Sequence, residues 1–287
     1  MRTQYVATVP LDDERLSADL GRAAEFRYSE AYSNYLIGGP WKSCMLWARG
    51  GDGGDGVLTN YSYEQEPAFT EQGRELPYLQ EIITKVADLG RLNFARLAVF
   101  SDSVIVPHRD YLELAEIPEG ARSAHRVHIP LVTHDACFFS EHNVVYRMRK
   151  GEVWFFDASR IHSVASFSKE PRIHLILDLV DVPAPGPLVK VGEASDEERI
   201  PPGRLVARPA LPEGEREALR RLADVLTMDS FNEVFSIVIK KHFRFDGGDD
   251  FAWRTMTELA RECADPAVLP RTEELRRYFE LERAADR

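Results

Sequence analysis

Val144-Val145-Tyr146-Arg147-Met148-Arg149-Lys150-Gly151-Glu152-Val153-Trp154-Phe155-Phe156 reads as two short β-branched and aromatic runs separated by a turn dipeptide. The runs are Val144 to Met148 and Glu152 to Phe156, and Lys150-Gly151 between them predicts a tight hairpin. The same texture spreads outward from about Asn93 to Asp181, through Ser103 to Val106, Arg126 to Val132 and Arg172 to Val180. Short strands punctuated by turn residues, with no helical run between them, predict an all-β unit.

Upstream, a strand is expected from Tyr5 to Val9, with helices from Asp12 to Glu25 and from Leu79 to Leu89. The run Gly50-Gly51-Asp52-Gly53-Gly54-Asp55-Gly56 lacks the Lys-Ser/Thr ending of a phosphate loop. It is read as a surface loop, with an active-site lid as the sharper alternative. Downstream, seven of the seventeen prolines, Pro183, Pro185, Pro187, Pro201, Pro202, Pro209 and Pro212, predict an extended linker. Helical periodicity follows over Glu213 to Leu226, Ser230 to His242, Asp249 to Cys263 and Pro270 to Arg283, with Ser230 and Asp249 as expected N-caps. The expected organisation is therefore a β domain over 1–182, a linker over 183–212 and a helical region over 213–287.

The formal net charge of −11 would repel a phosphate backbone or an anionic bilayer, so neither nucleic acid nor membrane is an expected partner. Cys44, Cys137 and Cys263 are odd in number and far apart, which argues against both a disulfide framework and a cysteine-ligated zinc site. No apolar run approaches the ~20 residues of a spanning helix. The N-terminal stretch, with Asp12, Asp13 and Glu14 close behind it, has no long apolar core of a secretion signal. A cytoplasmic location is the expectation.

The chemistry concentrates in Val106-Pro107-His108-Arg109-Asp110, a His-x-Asp at the end of an apolar strand. In extended backbone, side chains two apart share a face, so His108 and Asp110 can grip one ion while Arg109 turns away. A second histidine, His162, follows the strand ending in Phe155-Phe156. Two imidazoles and one carboxylate leave open positions on an octahedral metal, the arrangement that suits ferrous iron in oxygenases. Arg172 opens the next strand. A keto acid chelating such a metal leaves its far carboxylate some distance away, where a guanidinium fork binds it bidentately. His-x-Asp alone is a weak signal, but the set His108, Asp110, His162 and Arg172 within one all-β stretch is strong.

These residues resemble the bacterial free L-proline hydroxylases of the cis-3 and cis-4 type, which belong with the aspartyl/asparaginyl β-hydroxylase group of iron(II)- and 2-oxoglutarate-dependent dioxygenases. The resemblance runs through Leu76-Pro77-Tyr78-Leu79-Gln80-Glu81-Ile82-Ile83, Phe94-Ala95-Arg96, Ile105 to Leu114, Met148 to Ala158, His162-Ser163 and His242-Phe243-Arg244-Phe245-Asp246. It implies a double-stranded β-helix of jelly-roll, cupin-like type with flanking helices and a helical C-terminal region. It implies His108, Asp110 and His162 as iron ligands and Arg172 as the partner of the 2-oxoglutarate C5 carboxylate. Arg126 and His128 look like the Arg-x-His strand that faces the cofactor in the β-hydroxylase branch. The implied reaction is hydroxylation of a free L-amino acid, proline or a close analogue such as pipecolic acid, by dioxygen. Related halogenases carry a small residue in place of the metal-binding carboxylate, so Asp110 favours hydroxylation.

Several residues keep two readings. Arg96 suits the carboxylate of an amino-acid substrate, and equally a structural acid. Trp41 and Trp47 suit a substrate wall, although tryptophan is most often core. His174 shares a face with Arg172, yet a satisfied core histidine is an equal reading. Two rival functions also stand. A hydroxylase of a carrier-bound or peptidyl amino acid would need an open mouth. A non-catalytic cupin-like metal-binding module would have no use for Arg172.

Overall fold

The computed structural model describes residues 2–31, 36–37, 41–110 and 117–281. Tyr111 to Leu114, which carry part of the family resemblance, and the expected last turn of helix to Arg283 lie outside the described residues.

Strict alternation in Arg172-Ile173-His174-Leu175-Ile176-Leu177-Asp178-Leu179-Val180 dictates the architecture. Leu175, Leu177 and Leu179 face one apolar core, while Arg172, His174, Ile176 and Asp178 must face another, because every residue here except Ile173 is buried. This strand is the central member of a seven-stranded sheet. In chain order the strands are β1 (Gln4–Thr8), β2 (Leu36–Ile37), β3 (Lys42–Arg49), β4 (Pro67–Phe69), β5 (Leu92–Phe100) and β6 (Ser103–Ile105). They continue as β7 (Ser123–Val132), β8 (Cys137–Glu141), β9 (Val144–Tyr146), β10 (Glu152–Phe156), β11 (His162–Ser166) and β12 (Arg172–Val180). The large sheet runs β1-β10-β7-β12-β5-β3-β4, and a second sheet of five runs β2-β6-β11-β8-β9. Every pairing is antiparallel, so the two sheets form the double-stranded β-helix.

Helices close both outer faces. α1 (Asp13–Ala23), the short α2 (Glu71–Arg74) and α3 (Pro77–Val86) lie on the large-sheet side. Leu16, Leu79, Ile82 and Ile83 pack there against Val127, Ile129, Leu175 and Leu177. The side chain of Asp12 caps α1 by accepting from the Glu14 and Arg15 amides. Beyond the barrel come α4 (Glu213–Arg220), α5 (Phe231–Arg244), α6 (Phe251–Glu262) and α7 (Val268–Arg276). Phe231, Phe235, Val238 and Trp253 share one core with Val104, Phe138 and Ala165 of the small sheet and with Val106 just beyond β6. Among the described residues, no helix is long and apolar enough to cross a membrane.

Two local expectations are corrected. Lys150-Gly151 does not close a hairpin: β9 pairs with β8 in the small sheet, whereas β10 pairs with β1 and β7 in the large one. All five residues of β10 are buried and require partners on both edges. Accordingly Gly151 donates to Pro130 O and accepts from the Val9 amide, ignoring β9. Neither expected C-terminal cap works through its side chain. Ser230 precedes α5 but its hydroxyl donates to Val225 O, and α6 begins after Asp250, whose φ is +58°.

The proline-rich stretch, expected as extended linker, is docked as it passes. Val189 bridges Ala87, Arg199 bridges Gln4 and Leu205 bridges Tyr146. Arg204 donates from Nε to the buried Glu152 carboxylate at 2.7 Å.

Gly151 sits at φ +78°, and a Cβ there would meet Val9 O at 2.7 Å. Gly151→Ala is expected to cost about 1–3 kcal/mol, read as a lowered urea midpoint. An unchanged midpoint would show that the sheet crossing tolerates a side chain at this turn.

Candidate metal centre

His108 and His162 face each other across one antiparallel bridge. The His108 amide donates to His162 O at 2.9 Å and the His162 amide returns to His108 O at 2.8 Å. The two rings therefore stand side by side, 4.1 Å between centroids. Asp110, two residues on, falls to the same side, with Oδ1 3.4 Å from His108 Nε2. One ligand atom from each of His108, Asp110 and His162 lies within 4.8 Å of the other two, close enough to hold a single ion.

The tautomers suit that use. Nδ1 of His108 lies 2.7 Å from Val106 O, and Nδ1 of His162 lies 2.9 Å from Arg160 O. A carbonyl only accepts, so both Nδ1 atoms carry hydrogen and both rings turn Nε2 toward the cluster. Burial, reinforced by His108, pushes the His162 imidazole down to about 3, which keeps it neutral at pH 7. Burial works against the Asp110 charge, but Arg126 and then His108 outweigh it and hold the carboxyl well below its usual range. Arg126 donates from Nη1 to Asp110 Oδ2, leaving Oδ1 toward the histidines.

The His-x-Asp segment is gripped from outside the barrel as well. Trp253 Nε1 of α6 donates to Pro107 O at 3.0 Å, and the Arg109 amide donates to Phe279 O at 3.0 Å. The Asp110 amide donates to Ala158 O at 2.8 Å, beside the start of β11.

Deeper inside, the inner face of the large sheet is polar. Register places His128 opposite Ile176 and Arg126 opposite Asp178, with Arg96 opposite Ile176 on the other edge of β12. Arg172 is 2% exposed, yet among the described residues no carboxylate pairs with it. Its Nη2 reaches His174 Nδ1 at 3.0 Å, its guanidinium lies 4.7 Å over the Phe139 ring, and its Nε has no partner. Burial pushes this guanidinium down to about 10. Burial, then Arg172, holds His174 well below the usual imidazole range, and its Nε2 is likewise buried without a partner. Ring contacts link this end to the triad: His174 to His128 at 5.6 Å, His128 to Phe156 at 5.1 Å, Phe156 to His162 at 4.8 Å.

Of the two readings for Arg96, the described contacts include a structural acid: Nη2 lies 3.1 Å from Asp178 Oδ2. Arg96 also lies 5.5 Å beneath the ring of Trp41, so these two residues share one corner. Trp47 is core, its Nε1 donating to Leu92 O and its ring against Phe69 at 4.9 Å.

The family model described as Aspartyl/Asparaginyl beta-hydroxylase matches residues 10–181, which include every strand of the barrel except β1 and all the residues of the His-Asp-His cluster. The chain belongs to the aspartyl/asparaginyl β-hydroxylase family. A second model, L-proline 3-hydroxylase, C-terminal, matches residues 188–286. The chain is 29% identical over 283 residues to the L-proline cis-4-hydroxylase of Rhizobium meliloti (strain 1021), covering 97% of this chain and 96% of that one. It is 27% identical over 284 residues to L-proline cis-3-hydroxylase 2 of a Streptomyces species, covering 97% and 94%. L-proline cis-3-hydroxylase 1, also from Streptomyces, is 29% identical over 292 residues with the same coverages.

Within this β-hydroxylase scaffold, three contributors, Asp178, Trp253 and Phe279, are absent from the residues singled out by sequence spacing. Asp178 was within reach, being an acid in phase with Arg172 and His174 on an otherwise apolar strand. Trp253 and Phe279 were not, because their partners lie far away in sequence. Trp253→Phe keeps the ring and removes only the donor to Pro107 O. It is expected to cost about 1–2 kcal/mol in a denaturant titration, the penalty of a buried carbonyl left unpaired. A loss below a few tenths would show that the carbonyl finds another donor.

Proposed function

We propose that this protein is an iron(II)- and 2-oxoglutarate-dependent dioxygenase that hydroxylates a free L-amino acid, L-proline or a close analogue such as pipecolic acid. The observation that carries the reading is Arg172, a buried cation without an acidic partner among the described residues, linked through three ring contacts to a His-Asp-His cluster. Burying an unpaired charge is costly. A dianionic keto acid bound between the cluster and Arg172 would repay that cost, and the unpartnered Nε of Arg172 and Nε2 of His174 are polar atoms for it to meet. A metal-binding module with no keto acid has no need of such a residue.

In this reading His108 and His162 hold the metal through Nε2 and Asp110 through Oδ1. Iron held by these three donors would still have room for the keto acid and dioxygen. Arg172 would hold the far carboxylate by a charge-assisted contact, and Arg126 and His128 would line the cofactor side of β7. Arg96, under Trp41, receives the carboxylate of the substrate. Bound iron and 2-oxoglutarate supply the oxidising power for C–H hydroxylation, the keto acid leaving as succinate and carbon dioxide. The choice of proline is supported by the relatives, whose names give L-proline as their substrate.

The test is mass spectrometry of L-proline, L-pipecolate and a panel of free amino acids incubated with enzyme, Fe(II), 2-oxoglutarate and air. A gain of one oxygen matched by succinate is expected, and chelation by EDTA should abolish both. No oxidised amino acid from a protein that binds the metal would refute the reading. Arg172→Ala should raise the KM for 2-oxoglutarate by roughly a hundredfold, the worth of about 3 kcal/mol of charge-assisted hydrogen bonding. Undiminished turnover in that variant would instead favour a cupin that uses no keto acid.

A further inference from the structure

Asp178 stands in the middle of β12 with 0% exposure. Its Oδ1 accepts from Arg126 Nε at 2.7 Å and its Oδ2 lies 3.1 Å from Arg96 Nη2. Arg126 passes on the interaction, donating from Nη1 to Asp110 Oδ2. Asp110, Arg126, Asp178 and Arg96 thus form a row of alternating charge, running from the acidic member of the metal cluster to the guanidinium beside Trp41. All members except Asp110 are buried, and desolvation costs several kcal/mol per ion unless each is paired in good geometry. The Arg126–Asp178 contact is a hydrogen-bonded pair, whereas Asp178 Oδ2 and Arg96 Nε make no hydrogen bond, so Asp178 holds Arg96 by charge.

We propose that Asp178 is a positioning residue of this site. By sharing one carboxylate between two arginines, it limits how much of the Arg126 charge falls on Asp110 and fixes where the Arg96 guanidinium stands. The Arg96 end rests on the proposed function, whereas the Asp110 end rests on the triad geometry alone. Asp178→Asn preserves size and one acceptor but removes the charge. Arg126 then bears fully on Asp110 and the cavity gains one net positive charge, and both changes oppose a divalent cation. Arg96 loses its anchor, so a substrate carboxylate is still attracted but no longer aimed, and keto acid is consumed without matching hydroxylation.

The experiment compares wild type, Asp178→Asn, Arg96→Gln and the double variant. Co(II) affinity is read from its visible absorption, the folded state from a denaturant midpoint, and coupling from hydroxylated product per succinate with L-proline. Asp178→Asn is expected to weaken Co(II) about tenfold, the scale of a lost outer partner of a metal ligand. It should also at least halve the coupling. The double variant, whose net charge returns to the original, should recover most of the Co(II) affinity, a non-additivity that mere packing loss would not produce. Unchanged Co(II) affinity and coupling in Asp178→Asn, or additive losses in the double variant, would overturn the proposal. If Asp178→Asn does not fold, the double variant decides: near wild-type Co(II) affinity upholds the role, and a tenfold loss rejects it. Wild type that leaves L-proline untouched would remove the substrate assignment, and the cobalt titration would still settle the metal side.

Discussion

Three guanidinium groups, Arg96, Arg126 and Arg172, are buried between two β-sheets, and the rest of the interior is arranged around their cost. Water cannot neutralise them, so each must meet an acid, a ring face or a ligand. Asp178 and Asp110 serve Arg126, Asp178 serves Arg96, and among the described residues Arg172 has only His174 and the face of Phe139. The imbalance is localised at one residue. A protein stabilised by its own contacts alone would have little reason to keep it, and that is why Arg172 weighs more in the functional reading than the more familiar His-x-Asp.

The strands carrying these groups were legible because extended backbone enforces a period of two. Arg172, His174 and Asp178 alternate with isoleucine and leucines, and Arg126 and His128 alternate with valine and isoleucine, so a polar inner face follows from the pattern. Which sheet a strand joins was not legible. The runs around Lys150-Gly151 have hairpin texture, yet pairing is decided by the edges that Val9 and Pro130 present to Gly151, and these lie far away in sequence. Helix periodicity placed the C-terminal helices but not their caps, because Ser230 spends its hydroxyl on Val225 O instead of on a helix amide. The grip of Trp253 on Pro107 O spans 146 positions and leaves no local trace at either end.

The sheets and the C-terminal helices divide the labour. The barrel supplies donors through strand register, which is rigid because a slip by one residue would turn every inward group outward. Among the described residues, the helices contribute no member of the His-Asp-His cluster. They add a roof that pins the segment between β6 and Asp110 through one indole and one backbone carbonyl, and they share an apolar core with the small sheet.

That roof has a consequence for biosynthesis. Pro107 emerges from the ribosome long before Trp253 and Phe279, so the nascent barrel passes through a period in which His108 and Asp110 exist but the backbone at Pro107 and Arg109 lacks these two partners. Metal captured then would meet a looser cage than the finished one. That stretch gains its last two tethers only when the C-terminal helices have docked.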